Sequence, residues 1–478
     1  MNTPSRKTKI IATIGPSSDS PEMLKSLFEA GVDVCRLNFS FGSHDEHLKM
    51  IKKIRAASKK AGKPVAILQD LQGPKIRVGK LNSSVIVKKD DIIILSGNPR
   101  HYNKNVLPTT YTKIADDTEA GKIILLADGT ITLMVTKTEK KKRAVHCRVI
   151  NGGTILTGKG INLPYTNISL PSLTAKDKRD AVFGAKAGVD YIALSFVRTA
   201  KDIIQLKKIL KKHAEEIPII AKIEKPEALD NIDEIIDAAD GIMVARGDLA
   251  VEISIAHVPV AQKKIILLAN QKGKITITAT QMLETMIENP VPTRAEASDV
   301  ANAILDGTDA IMLSGETATG RYPEKVIHVM TQIAREIESS HIAPQGVRKT
   351  LDLPDDDAVR NAVCAASSYL SYLTEEKGLA VFSSSGVTVR ILSKFRPQTN
   401  IYAASNKDKF CNRMAMLHNV YPVLIKGNNL KSAVSSVNAL KKELLKKKFV
   451  KKGDKVIILT GGHYETPWHT DTIKIRTM

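Results

Sequence analysis

Between residues 8 and 317 the chain alternates apolar runs of strand length with helix-length amphipathic segments, the pattern of a parallel sheet covered by helices. Eight runs are legible: Thr8 to Gly15, Val32 to Ser40, Pro64 to Leu71, Tyr191 to Val197, Ile219 to Glu224, Gly241 to Leu249, Ile275 to Gln281 and Ala310 to Thr317. Eight strands, each followed by a helical segment, fit an α/β chain built on a closed (β/α)8 TIM barrel better than an open doubly wound sheet. Nearly every run closes on polar residues: Thr13; Arg36, Asn38 and Ser40; Asp70; Ser195; Lys222 and Glu224; Arg246 and Asp248; Thr280; Ser314 and Glu316. In a barrel these ends share one mouth, so residues far apart in the chain become candidates for a single site.

The third run ends at Leu71 and the fourth begins at Tyr191, which leaves room for an inserted unit with a different pattern. Ile124 to Val135 reads as a hairpin around Asp128-Gly129, and Asn151-Gly152-Gly153 offers a second such turn. Residues 76–171 are expected to form a small β-barrel domain. Growing from the barrel mouth, it is placed to act as a lid that excludes water; a decorative insertion is the alternative. From about residue 350 the pattern restarts: helix-like Asp357 to Leu373, strand-like Leu379 to Ser383, helix-like Val387 to Phe395, strand-like Ile401 to Ala404, then Lys455 to Thr460 and Thr472 to Ile475 as strands. The expected division is 1–75 with 172–345 as barrel, 76–171 as lid and 346–478 as a C-terminal α/β domain.

Charge at the ends of core-like runs is the chemical signal. In Ile219 to Glu224 and Gly241 to Asp248, Lys222, Glu224 and Asp248 interrupt segments otherwise fit for a core, and an unpaired buried charge costs several kcal/mol or more. Two carboxylates and an ammonium at strand ends suit a hard divalent cation beside an anionic substrate, as phosphoryl transfer requires. A structural ion pair is the competing reading for a lone Lys-x-Glu. In Ser383-Ser384-Ser385-Gly386-Val387-Thr388, between a strand and a helix, hydroxyls and amides at a helix N-terminus suit a phosphate, or equally a capped turn.

Composition narrows the class. The 478 residues imply two to four domains. A net charge of +21 permits nucleic-acid binding, but only 4% of residues are aromatic and no recognition motif accompanies the charge. Much of the excess is lysine on helix-like stretches such as Lys441 to Lys455, read as a solvated face. Cys35, Cys147, Cys364 and Cys411 have no paired spacing, and no apolar stretch of signal or membrane-span length opens the sequence. A cytoplasmic setting, with neither membrane nor specific nucleic acid as partner, is expected.

Six stretches then match one family in order, and the chain resembles pyruvate kinase over essentially its whole length: Arg36 to Ser40, Gly73 to Arg77, Ala221 to Glu224, Asp240 to Leu249, Ala279 to Leu283 and Pro292 to Glu296. The resemblance implies transfer of a phosphoryl group from phosphoenolpyruvate to ADP in glycolysis, a mobile lid, a C-terminal domain that commonly carries a regulatory sugar-phosphate site, and a homotetramer. It implies that Glu224 and Asp248 bind Mg²⁺ or Mn²⁺, that Lys222 contacts the phosphoryl group in flight, and that Arg36 is a second clamp on it. Amides near Ala245, Arg246 and Gly247 would hold the substrate carboxylate, with Lys222 and Thr280 also at the substrate and Thr280 supporting proton delivery as a relay. The Arg246 side chain is open between that site and a structural ion pair. Arg77 is expected at the ADP phosphates, and Lys159 either joins it from the lid or is a plain surface lysine.

Two departures from the family pattern are informative. Many members require K⁺ and carry threonine where this chain has Leu71 and glutamate where it has Lys75. A lysine ammonium near Asn38, Ser40 and Asp70 is expected to supply the charge otherwise taken from a bound monovalent ion, so K⁺ should not be required. Phe41 stands where the pattern usually has histidine, which bears on nucleotide contacts. A phosphorylated effector is expected at Ser383, Ser384, Ser385, Gly386 and Thr388, although Gly461 to Trp468 departs from the glycine-rich effector loop and Glu465 would repel a second phosphate. The rival functions are an RNA-associated protein on an inactive barrel and a metal-dependent aldolase. The retained charged residues argue against the first, and the Lys75 and Arg77 segment, lid and extra domain against the second.

Overall fold

In the computed structural model, which describes residues 6–98, 105–213, 216–340, 342, 351–352, 358–383, 385–426, 433–461 and 470–478, eight parallel strands close a barrel. They are β1 (Lys9–Thr13), β2 (Val34–Asn38), β3 (Ala66–Asp70), β4 (Tyr191–Leu194), β5 (Ile219–Ile223), β6 (Gly241–Ala245), β7 (Ile275–Ala279) and β8 (Ala310–Leu313), paired in chain order with β8 returning to β1. The strands are apolar on both faces because helices cover one and side chains fill the other. Ile10, Ala12, Cys35, Leu37 and Ile67 pack with the surrounding helices. Ile11, Val34, Ala66, Leu68, Ala193, Ile220 and Met243 belong to the other face, the barrel interior.

Alternation carries that second face up to the mouth. Two positions beyond Val34 stands Arg36; beyond Leu68, Asp70; beyond Ala193, Ser195; beyond Ile220, Lys222 and then Glu224. Helix starts are set by capping boxes, as at Ser43 and Glu46 before the helix His44–Ala61 and at Thr174 and Asp177 before Ala175–Ala187. Two of the apolar runs prove to be composite. β6 stops at Ala245 and residues Arg246–Glu252 turn into a short helix that carries Asp248; β8 stops at Leu313, and Gly315–Ala318 is helical.

The insertion forms a six-stranded sheet in the order Ile161–Asn162, Ile123–Leu126, Ile131–Glu139, Ala144–Asn151, Ile92–Ser96, Val106–Pro108. Arg77 bridges Gly160 beside one edge and Val78 bridges Thr109 beside the other, so a single segment meets both edges and the sheet is curled around its own core. The hairpin expected at Asp128-Gly129 is present, with Ala127, Asp128 and Gly129 at φ 51°, 56° and 87°. The expected second hairpin is not: Gly153–Ile155 pairs with Val85–Val87 instead of folding back on Ala144–Asn151. A side chain at Gly152 would collide with the Val87 carbonyl, so that glycine serves a close crossing of backbones.

The C-terminal unit is a five-stranded sheet ordered Val420–Leu424, Ile401–Ser405, Leu379–Phe382, Lys455–Thr460, Thr472–Thr477, the last strand antiparallel. The expected helical face from Lys441 to Lys455 is divided: the helix Ala433–Lys446 ends, and Lys455 opens a strand. This sheet packs under the barrel, and Leu379, Val381 and Leu392 join the cluster that fills the barrel interior. Asp309, buried just before β8, pairs with Lys394 and with Arg396 at 2.9 Å. Among the described residues no helix is long and apolar enough to cross a membrane.

Candidate active site

Four side chains delivered by four neighbouring strands meet at the barrel mouth. Arg36 Nε donates to Asp70 Oδ2 at 2.7 Å and Arg36 Nη1 to Thr13 Oγ1 at 2.9 Å. Lys222 Nζ donates to Ser195 Oγ at 2.7 Å and lies 3.2 Å from Asp70 Oδ1 and 2.9 Å from Glu224 Oε1. Ser195 Oγ in turn donates to the Leu71 carbonyl at 2.6 Å. Burial opposes the Lys222 charge, but Asp70, Glu224 and Asp248 outweigh it and hold this ammonium's pKa above its ordinary value. Burial likewise works against the Asp70 carboxylate, and Lys222 with Arg36 reverses the sign, holding it below the usual range.

Glu224 is placed differently. Its Oε2 accepts the Phe196 amide at 2.6 Å, and Phe196 holds the left-handed φ of 54°. Its Oε1, although close to Lys222, is buried without an aligned hydrogen bond. Burial pushes the Glu224 pKa up; Lys222 opposes this and the charge of Asp248 adds to it. Asp248, in the first turn of the helix Arg246–Glu252, lies 3.2 Å from Lys75 Nζ. Among the described residues no group of three or more His, Cys, Asp and Glu could hold a metal. A pair of hard carboxylates, one with a buried oxygen that faces the Lys222 ammonium without an aligned hydrogen bond, nonetheless fits Mg²⁺ or Mn²⁺, which are commonly held by one or two carboxylates with substrate oxygens and water completing the shell.

These groups line a polar cavity of about 440 Å³ roofed by lid residues Thr157 to Gly160. Arg36, Lys75, Arg77, Lys159 and Lys222 bring positive charge to it, and Asp70, Asp128, Glu224 and Asp248 negative. Asn38, Ser40 and Leu71 also face it, with Asn38 Oδ1 accepting the Ser40 amide at 3.1 Å. Arg77 Nη1 donates to the Gly158 carbonyl at 2.9 Å, and Phe41 stands at the rim, 68% exposed.

Other candidates gather beside the cavity. The Arg246 guanidinium is engaged by Asp299 at 2.7 Å and by the carbonyls of Thr280 and Gln281 at 2.7 and 3.1 Å. Thr280 Oγ1 accepts the Gly247 amide at 2.7 Å and donates to the Ala279 carbonyl at 2.5 Å; its φ is 72°. Ala245, Arg246, Gly247 and Thr280 thus form one cluster at the start of the helix bearing Asp248, outside the lining of the cavity.

In the distant C-terminal loop, Ser383 Oγ accepts the Gly386 amide at 2.8 Å and Ser385 Oγ the Val387 amide at 3.4 Å, and Thr388 and Thr470 share a hydroxyl contact of 3.1 Å. These bonds hold the turn together, while the helix N-cap position, Gly386, has no side-chain cap. Ser384 and residues 462–469 lie outside the described residues. Thr13 and Ser195 are among the polar run ends expected at the mouth, and the structure gives them specific partners in Arg36 and Lys222. Parity with Ile11 and Ala193 was the signal that aims them inward.

Comparison with known proteins agrees with this geometry. Residues 5–327 match the family model for the pyruvate kinase barrel domain, and residues 361–476 that for the pyruvate kinase alpha/beta domain. Pyruvate kinase 2 of Synechocystis sp. is 41% identical over 476 residues, covering 99% of this chain and 79% of its own. The pyruvate kinase of Sporosarcina psychrophila is 41% identical over 475 residues, covering 99% and 80%. That of Staphylococcus aureus is 41% identical over 457 residues, covering 95% and 78%. Matched along both domains and nearly from end to end, the chain is an enzyme of the pyruvate kinase family.

Proposed function

We propose that this enzyme transfers the phosphoryl group of phosphoenolpyruvate to ADP, giving pyruvate and ATP in glycolysis. The observation that carries the reading is the Lys222 ammonium held 2.7 Å from Ser195 Oγ and 2.9 Å from Glu224 in a cavity bordered by a second carboxylate, Asp248. Glu224 and Asp248 would hold Mg²⁺ or Mn²⁺, which when bound neutralises charge on the substrate's carboxylate and phosphoryl oxygens. Lys222 stabilises negative charge on the phosphoryl oxygens as the bond to the enol oxygen breaks and the bond to an ADP phosphate oxygen forms. Arg36, oriented by Asp70 and Thr13, clamps the phosphoryl group from the side. The enolate then takes a proton at its methylene carbon; Thr280 supports that delivery as a relay, and the backbone of Ala245, Arg246 and Gly247 receives the substrate carboxylate once Thr280 Oγ1 releases the Gly247 amide.

Arg77 and Lys159 face the ADP phosphates from the lid side, and the lid excludes water during transfer. K⁺ is not required. The support is that Lys75 lines the same cavity as Asn38, Ser40 and Leu71, and that Asp70 is already paired with Arg36 and Lys222. A phosphorylated effector at Ser383 to Thr388 would take over the Gly386 and Val387 amides from the two serines, giving allosteric control. The working assembly is a homotetramer in the cytoplasm; exposed Tyr369, Tyr372 and Leu373 on the helix Ala358–Leu373 suit a subunit contact, and among the described residues no disulfide is formed.

An assay coupled to lactate dehydrogenase, with phosphoenolpyruvate, ADP and Mg²⁺, tests the central reading: pyruvate should form only when all three are present. Pyruvate formation independent of ADP, or none at all, overturns it. Sugar phosphates titrated against the Ser385→Glu variant test the effector loop, and responses equal to those of the wild type remove it. Light scattering of the eluted protein tests the tetramer.

A further inference from the structure

Where the lid joins the barrel, a carboxylate that the reaction does not use is buried at the meeting point of three working parts. Glu252 is 1% exposed; its Oε1 accepts from Lys225 Nζ at 2.7 Å and from Asn162 Nδ2 at 2.9 Å. Among the described residues its Oε2 has no hydrogen-bond partner. The three groups belong to different pieces. Asn162 lies on the lid edge strand Ile161–Asn162, two residues beyond Gly160 in the cavity roof. Lys225 directly follows Glu224. Glu252 closes the short helix whose first turn carries Asp248, four positions earlier and therefore on the same helical face. A void of about 30 Å³ at this joint is lined by Asn162, Lys225, Glu252 and Lys75, and Lys75 also lines the main cavity and pairs with Asp248.

We propose that Glu252 is a positioning residue that ties the lid to both carboxylates of the site, so that seating the lid and placing Glu224 and Asp248 are one event. The physical reason is the cost of burying a carboxylate with few donors. Glu252 has two donors for one oxygen and none for the other, so losing Asn162 when the lid swings away leaves Lys225 as its sole support. The helix Arg246–Glu252 then shifts to recover partners, and Asp248 shifts with it. Conversely, a ligand that draws Asp248 and Glu224 together holds Glu252 where Asn162 can reach it.

This inference rests on the proposed assignment of Glu224 and Asp248 to a divalent ion, and the test separates the two. Mn²⁺ binding is followed by electron paramagnetic resonance of the free ion, with and without phosphoenolpyruvate, alongside kcat and KM. In Glu252→Gln the Mn²⁺ Kd should rise about tenfold, within the range typical for residues that orient metal ligands. Asn162→Ala removes the lid donor from the same carboxylate: without substrate its Mn²⁺ Kd should rise, though less than in Glu252→Gln, while the tightening of Mn²⁺ by phosphoenolpyruvate falls at least about threefold, with kcat reduced more than KM changes. The double variant should be no worse than Glu252→Gln alone. Unchanged Mn²⁺ Kd in folded Glu252→Gln, or effects that simply multiply in the double variant, overturns the proposal. Should Glu252→Gln not fold, Asn162→Ala decides alone, and unchanged coupling there is fatal. Wild-type protein that makes pyruvate but shows no difference among variants defeats only the role of Glu252; wild-type protein that binds no Mn²⁺ defeats the metal assignment as well.

Discussion

Lys222 Nζ lies 2.9 Å from Glu224 Oε1, two positions along the same strand end, yet that oxygen has no aligned hydrogen bond. The ammonium is instead aimed at Ser195 Oγ, 2.7 Å away, and backed by Asp70. The pair is therefore two parts of a site sharing one wall, with the lysine and the carboxylate free to face different groups of a ligand.

Removing the Lys222 charge should leave binding largely intact and disable transfer. For Lys222→Met we expect kcat to fall about 10² to 10³-fold, with KM for phosphoenolpyruvate changing far less. Steady-state kinetics on protein verified as folded by circular dichroism checks this. Equal losses in kcat and affinity would mean that the ammonium serves ground-state binding instead.

Lys75 should decide the monovalent-ion requirement. Wild-type enzyme is expected to work fully in tetramethylammonium salts, with less than about twofold stimulation by KCl. Lys75→Glu should lose activity in tetramethylammonium and recover much of it in KCl, because a carboxylate restores the need for a bound cation. Strong activation of the wild type by KCl refutes this reading.

The contact between barrel and C-terminal domain should be sensitive to Asp309. Asp309→Asn removes the carboxylate that pairs with both buried Lys394 and buried Arg396, and breaking a buried pair from one side typically costs about 3 to 5 kcal/mol. A clear drop in Tm is expected, with kcat at low temperature nearly unchanged. Asp309→Asn protein with the melting curve of the wild type would show that the cluster does not couple the domains.

Acid should loosen the same region through His418. Burial, together with the charges of Arg396, Lys7, Lys9 and Lys394, holds its pKa well below the ordinary 6.5. The unfolded chain therefore takes up this proton first, so the contribution is complete above about pH 6.5 and is lost as pH falls below it, at about 1.4 kcal/mol per pH unit. Melting temperatures between pH 7 and 5 should fall more steeply for wild type than for His418→Gln. Parallel slopes would locate the acid sensitivity elsewhere.

The barrel was legible in the alternating runs because its strands are buried on both faces and are therefore mainly apolar, and because many of the charges that interrupt them gather at the mouth. Lys222, Glu224, Asp248 and Asp70 stood out for that reason. Less legible was where a strand stops. In the run from Gly241 to Leu249 no capping side chain marks the change from strand to helix, since the N-cap position is Ala245, so only the assembled structure shows Asp248 on a helix, in reach of Lys75. The segment at Gly152 departs from the expected hairpin because a glycine required by a crossing strand has the same local signature as one required by a hairpin. Arg246 and Glu252 illustrate the remaining limit. The chain determined by itself which residues alternate inward and which charges need partners, since period and burial cost are local properties. Who those partners are was decided only in three dimensions: Asp299 for Arg246, and Asn162 with Lys225 for Glu252, each brought near by closure of the barrel and docking of the lid.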